Sequence, residues 1–140
     1  MGVNTRTEYA LRALLEMSGN AEEPISAQRI CLRQQLPKKY VEHLLSALKV
    51  AGLVSSSAGS RGGYTLTRKA EQISLLDVME AVDDHSLELE CGENRGEHCL
   101  GDDCQLSPFF HQISQEQRSL FASYSLATIA SFFEPRGARK

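Results

Sequence analysis

The 140-residue chain lacks any apolar run near the roughly 18 residues that a membrane-spanning helix requires. Its first ten residues, MGVNTRTEYA, have no apolar signal-peptide core, so a cytoplasmic protein without a membrane partner is expected. No C-x-x-C pair occurs among its four cysteines, which argues against a paired-finger zinc site and a thioredoxin-like redox motif. None of the histidines, His43, His85, His98 and His111, accompanies a nucleophile in an elbow-like motif. GSRGGY lacks the strand–loop–helix setting of a phosphate-binding loop. Neither an enzyme nor a small-molecule substrate is therefore expected. Internal repeats and low-complexity tracts are also absent.

Acids are scarce in one stretch. Residues 24–69 hold Arg29, Arg33, Lys38, Lys39, Lys49, Arg61, Arg68 and Lys69 against Glu42 alone, a balance of +7. Residues 71–104 hold eleven acids against Arg95, a balance of −10. The net charge of −3 hides this polarity. The basic block is a candidate polyanion footprint, with two solvated faces as the plain alternative.

Hydrophobic residues at 41% support one modest core. Helical periodicity predicts helices over 5–18, 27–34 and 38–50, the second capped by Ser26. Pro37 is expected in the first turn of the third, whose apolar stripe is Val41, Leu44, Leu45 and Leu48. Two short strands, about 53–57 and 63–67, flank a Gly/Ser-rich tip and read as a hairpin. Three helices and a hairpin outline a mainly α fold, a winged helix-turn-helix with a β-hairpin wing. A fourth helix, 74–83, is expected to start with a capping box of Ser74 and Asp77. Ser107 and Pro108 read as N-cap and first residue of a helix to about 122. Leu126 to Phe133 is apolar with no evident partner in so small a domain. The face of Phe109, Ile113, Leu120, Phe121, Leu126, Ile129 and Phe133 is therefore expected to pack against a second copy, making this C-terminal region a dimerisation element. The expected organisation is 1–83 for DNA binding, 84–105 as a cysteine-bearing loop, 106–134 for dimerisation, and 135–140 as a basic tail.

A helix-turn-helix brings the start of its recognition helix to the groove. Lys38, Lys39 and Tyr40 there suit phosphate oxygens. Glu42 would repel phosphate, so it either accepts from a cytosine amino group or serves as a surface partner for Lys38 or Lys39. His43 lies off the apolar stripe and joins the candidates for DNA contact. Arg61 at the wing tip suits a minor groove, with Gly62 and Gly63 permitting close backbone approach. The alternative for Arg61 is a solvated turn arginine.

Cys91, Cys99 and Cys104 are separated by seven and four residues in turn-rich chain. Three thiolates so placed suit a soft metal centre. Iron–sulfur, zinc (with His98), redox thiols and no function all remain open on spacing alone. Cys31 falls within the apolar pattern of helix two and reads as an inert core residue.

EYALRALLEM, YVEHLLSALKVAGLV, GSRGGYTLTR and ISLLDVMEAVD, followed by the three spaced cysteines, resemble the Rrf family of bacterial winged-helix regulators, the IscR and NsrR type. The resemblance implies a homodimer on palindromic double-stranded DNA, with an iron–sulfur cluster tuning its binding. The family's cysteine triad falls on Cys91, Cys99 and Cys104, and its groove-reading glutamate on Glu42, with Tyr40 as a backbone contact. IscR-type members take a fourth ligand from a histidine three residues past the last cysteine. Here Ser107 stands at that place and His111 is the nearest histidine. NsrR-type members use a carboxylate at the start of helix one of the partner subunit, where this chain has Glu8. The wing arginine of the family falls on Ala58, leaving Arg61 to take over. The resemblance favours a 2Fe–2S cluster, with 4Fe–4S as the other nuclearity. Two rival readings are a zinc- or thiol-bearing winged-helix interaction module without DNA binding, and a small redox enzyme using Cys99 and Cys104.

Overall fold

A computed structural model describes residues 3–19, 22–88 and 97–132. The elements in chain order are α1 (Thr5–Ser18), α2 (Ala27–Gln34), α3 (Lys38–Val50), β1 (Val54–Ser57), β2 (Gly63–Leu66), α4 (Leu75–Ala81), α5 (Ser107–Ala122) and α6 (Leu126–Ala130). Short 3-10 turns occupy Ala70–Gln72 and Gly101–Asp103. The chain is a winged helix-turn-helix, as its periodicity predicts.

Local chemistry explains most boundaries. The Asn4 side chain accepts from Thr7 N–H to start α1, and Ser26 accepts from Arg29 N–H at 3.1 Å to start α2. Ser74 and Asp77 exchange two bonds of 3.0 Å, the expected capping box. Two starts differ from expectation. Pro37 is the N-cap of α3 in extended conformation rather than a first-turn residue. Ser107 is already helical, because Leu106 before it enters with φ −83° and ψ −17°. A serine inside the helix cannot act as its cap, which needs extended backbone.

Ala10, Ala13, Leu14 and Met17 of α1 pack with Ile30 of α2 and Val41, Leu44, Leu45 and Leu48 of α3. The wing pairs Val54 with Leu66 through Ser57 with Gly63, antiparallel. Ile25 bridges to the other edge of β2: its N–H donates to Tyr64 O at 3.1 Å, and Tyr64 N–H donates back at 2.8 Å. A side chain at Gly63 would put its Cβ 2.5 Å from the Ile25 carbonyl, and one at Gly62 2.2 Å from Ser57 O. The close approach expected of these glycines is thus made to the protein's own backbone.

The C-terminal region departs most from expectation. Leu75 N–H donates to Tyr124 O at 2.8 Å, and Leu126 N–H donates to Ile73 O at 2.7 Å. This pairing lays α6 back against α1 and buries Leu126, 1% exposed, in the winged-helix core. Leu126 is therefore a core residue and not part of a face left for a second copy. Phe133 lies outside the described residues. In contrast, α5 buries no residue in the single chain. Phe109, Phe110, Ile113 and Leu120 are all exposed on it, as is Leu106 at its N-cap.

Candidate functional site

The basic block spans α2, α3 and the wing. α2 ends at Gln34, Gln35 takes the left-handed conformation (φ 56°, ψ 48°), and Pro37 at φ −63° leads into α3. This short, restrained turn projects the first turns of α3. Pro37, Lys39, Tyr40, Glu42, His43 and Ser46 line a shallow, open concavity there. Lys38, Lys39, Glu42 and His43 are exposed, while Tyr40 is half-buried. The Tyr40 ring meets the Tyr9 ring edge-on, with centroids 5.5 Å apart at 86°. Its position is thus set by α1.

Glu42 Oε1 lies 3.9 Å from Lys38 Nζ, with both side chains more than half exposed. An exposed i,i+4 pair of this length contributes about 0.5 kcal/mol or less. It offers little resistance to recruitment of either group by a ligand. Arg61 is exposed on the hairpin turn, where Gly59 has φ 100° and Gly62 N–H donates to Gly59 O at 3.0 Å. Lys49 Nζ donates to Ser56 Oγ at 2.7 Å and ties the wing to the end of α3. Sequence reasoning assigned Lys49 only to the basic block. Its spacing from a Ser-rich strand was the available signal.

Among the candidate metal ligands, Cys91 lies outside the described residues. Cys99 is exposed, and Cys104 is half-buried at the end of the Gly101–Asp103 turn. The turn is held by Asp103 N–H to Leu100 O at 3.2 Å and Cys104 N–H to Gly101 O at 3.1 Å. Among the described residues no three His, Cys, Asp or Glu side chains converge to hold a metal. The donors nevertheless fit a soft metal chemically. Two thiols stand on a turn segment outside the hydrophobic core, where thiolates are the preferred ligands of iron–sulfur centres. Cys31 contrasts with them. It packs against the core. Burial and then the Glu42 carboxylate push its thiol up, while Lys38 pulls the other way.

Glu8 is exposed in the first turn of α1. That end of α1 is clasped to the segment leading into the cysteine stretch. Asp84 accepts from Asn4 N–H at 2.9 Å and Thr7 Oγ1 at 2.5 Å, and from Ser86 N–H at 3.0 Å. Arg6 donates to Asp83 O at 2.8 Å. Sequence reading missed this clasp. Ser107 and His111 are one turn apart on α5, and His111 is exposed.

No helix among the described residues is long and apolar enough to cross a membrane. Residues 3–131 match the Rrf2 family model, described as an iron-dependent transcriptional regulator. The chain is 38% identical over 94 residues to protein rrf2 of Nitratidesulfovibrio vulgaris, covering 66% of this chain and 63% of that relative's length. It is 34% identical over 128 residues to the HTH-type transcriptional regulator IscR of Xenorhabdus nematophila, covering 90% of this chain and 77% of the relative. The solved structure of CymR, the global cysteine regulator of B. subtilis, shares the fold with a TM-score of 0.79 at 24% identity, covering 96% of this chain and 99% of that one. By its match along nearly its whole described length, the chain belongs to the Rrf2 family of helix-turn-helix transcriptional regulators.

Proposed function

We propose that the protein is an iron–sulfur-dependent regulator that binds an inverted-repeat operator as a homodimer. The observation that carries this reading is the exposed face of α3 beside the wing, with Lys38, Lys39, Glu42 and His43 free of the core. In this reading α3 enters the major groove. Lys38 and Lys39 meet phosphates, and the Tyr40 hydroxyl contacts the same backbone. Glu42 leaves Lys38 to accept from a cytosine amino group, and His43 extends the contact surface along the helix. Arg61 reaches the adjacent minor groove.

The apolar stripe of α5 supports a two-fold dimer. Leu106, Phe109, Ile113 and Leu120, each more than a third exposed, recur at helical spacing and would be costly to leave in water. A two-fold axis through α5 sets two α3 helices about one DNA turn, or a multiple of it, apart.

Cys91, Cys99 and Cys104 would hold the cluster, with Glu8 of the second copy as fourth ligand and His111 as the alternative. A bound cluster supplies sensitivity to redox state and iron supply. The protein's part is to present thiolates between the Asp84 clasp and the start of α5. Reordering that segment bears on both α1 and the dimer helix. This links the loop to the placement of α3.

Anaerobic purification with iron and sulfide counted per chain, and a binding selection on random duplexes with and without chelator, tests the reading. Expected results are a coloured protein, bleached by any one of the three Cys→Ala changes, and an inverted-repeat motif that differs between the two forms. Full iron content in the triple variant would overturn the cluster assignment. Recovery of no common motif would favour the interaction-module reading, and a monomer in sedimentation at micromolar concentration would overturn the dimer.

A further inference from the structure

A polar cluster behind the recognition helix is used by none of the roles above. Tyr9, Arg12 and Glu16 fall at i, i+3 and i+7 on α1, and all three are half-buried. Arg12 Nε donates to Gln34 Oε1 at 3.0 Å, and a second guanidinium nitrogen donates to the Gln34 backbone carbonyl. Gln34 Nε2 donates onward to Glu16 Oε1, whose other oxygen pairs with Arg33 Nε at 2.8 Å. The guanidinium also lies over the Tyr9 ring, 5.3 Å from its centroid. Tyr9 in turn meets Tyr40 edge-on.

The placement of these bonds matters more than their number. Gln34 is the last residue of α2, and its carbonyl is one that the helix leaves without an internal partner. A cation there also sits at the negative end of the helix dipole. Gln35 to Pro37 form a restrained connection, so holding Gln34 holds the origin of α3. Tyr40 lies in the first turn of α3. Arg12 therefore grips the turn from both sides, directly at Gln34 and through the Tyr9 ring at Tyr40.

We propose that Arg12 is a positioning residue for sequence recognition, setting through Gln34 and Tyr9 the angle at which α3 presents Glu42 to a base pair. The proposal rests on the reading of α3 as the DNA-recognising helix. Hydrogen bonding to a base edge tolerates displacement of only about 0.5 Å. Lysines on flexible four-carbon stems absorb such a shift when they contact phosphates. Loosening the brace should cost operator affinity and spare non-specific affinity, whereas loss of a phosphate contact lowers both.

Anisotropy titrations over a salt series decide it. The probes are the duplex recovered by selection and a scrambled duplex of equal length, tested against wild type, Arg12→Lys, Gln34→Met and, for contrast, Lys39→Ala. Arg12→Lys keeps the stem and the charge and loses the two-pronged grip. Both brace variants should lose roughly tenfold on the selected duplex. On the scrambled duplex they should stay within about twofold, with an unchanged salt slope. Lys39→Ala should weaken both and reduce the slope by about one. Brace variants with wild-type operator affinity, or with equal losses on both duplexes, would overturn the proposal. So would loss of cooperative melting in Arg12→Lys, which would make the residue a prop of the fold. A wild-type protein that binds both duplexes alike overturns the DNA reading itself, and the positioning role with it.

Discussion

Removing the Asp84 carboxylate should destabilise the protein in a way that depends on which donors lose their acceptor. One oxygen accepts from Asn4 N–H and the Thr7 hydroxyl, the other from the N–H and hydroxyl of Ser86. The two pairs are unequal. Thr7 is fully buried, whereas Ser86 is exposed and has water as a substitute. Asp84→Asn can turn its carbonyl toward Thr7 and its amide toward Ser86. It then loses charge assistance and the bond from Ser86 N–H, for which water substitutes, about 1–2 kcal/mol. Asp84→Ala leaves the Thr7 hydroxyl and Asn4 N–H without their partner, at about 1–3 kcal/mol each. Thr7 can recover part of this through a backbone carbonyl, so about 3 kcal/mol is expected. For a domain of this size that is a fall in Tm of roughly 10 °C.

The pH dependence has a defined sign. Burial alone pushes the Asp84 carboxyl up. The bonds from Asn4 N–H, the Ser86 and Thr7 hydroxyls and Ser86 N–H outweigh it and leave the group below the ordinary aspartate value. A depressed folded-state value means that the contribution is complete above the unfolded value of about 3.9 and is lost as pH falls through the folded one. The Tm gap between wild type and Asp84→Ala should be flat from pH 7 to 5 and narrow below about 4. Circular dichroism melts of both proteins measure the gap, in which the other titrating groups largely cancel. Equal Tm values at pH 7, or a gap that widens in acid, would refute the reasoning.

Leu126→Ala should cost about 2–5 kcal/mol, because the side chain is in the core. An unchanged melt with weaker dimerisation would return it to a dimer face. Gly63→Ala should cost about 1–3 kcal/mol and release the wing from Ile25, since its Cβ would lie 2.5 Å from that backbone. Retention of the wild-type melt would refute the close approach. Glu42→Ala should relax sequence choice at one base pair per half-site, by about 1–3 kcal/mol of discrimination. An unchanged selection profile would leave Glu42 only as the partner of Lys38.

The winged helix was legible because its helices carry three-residue and four-residue apolar spacing and its caps are local. Ser26 and Ser74 bond to groups three residues away, so a short window of sequence contains the whole interaction. Leu126 was misread for the opposite reason. Its burial depends on two backbone bonds, Leu126 N–H to Ile73 O and Leu75 N–H to Tyr124 O, that reach some fifty residues back in the chain. Backbone bonds of that range leave no mark on side-chain pattern. An apolar segment with a distant partner looks the same as one with none. The alanines of α1 were similarly overlooked. Ala10 and Ala13 are fully buried, but small residues carry little weight in a periodicity count while permitting helices to approach.

The site divides along the same line. Lys38, Lys39, Glu42 and Arg61 stand out by charge in an otherwise one-signed block, and solvent exposure requires no partner elsewhere. Arg12 and Glu16 have the i,i+4 spacing of a solvated helix face, and opposite charges so placed on a helix are ordinarily that. What distinguishes them is Gln34, an uncharged residue at the end of another helix, with a backbone carbonyl that any residue would supply. An arginine bonded to a helix end is recognised only once that end is in place. Residues proposed to face a ligand are therefore open to sequence reasoning, because the ligand's chemistry is known in advance. Residues that aim them depend on the geometry of the fold, and appear when it does.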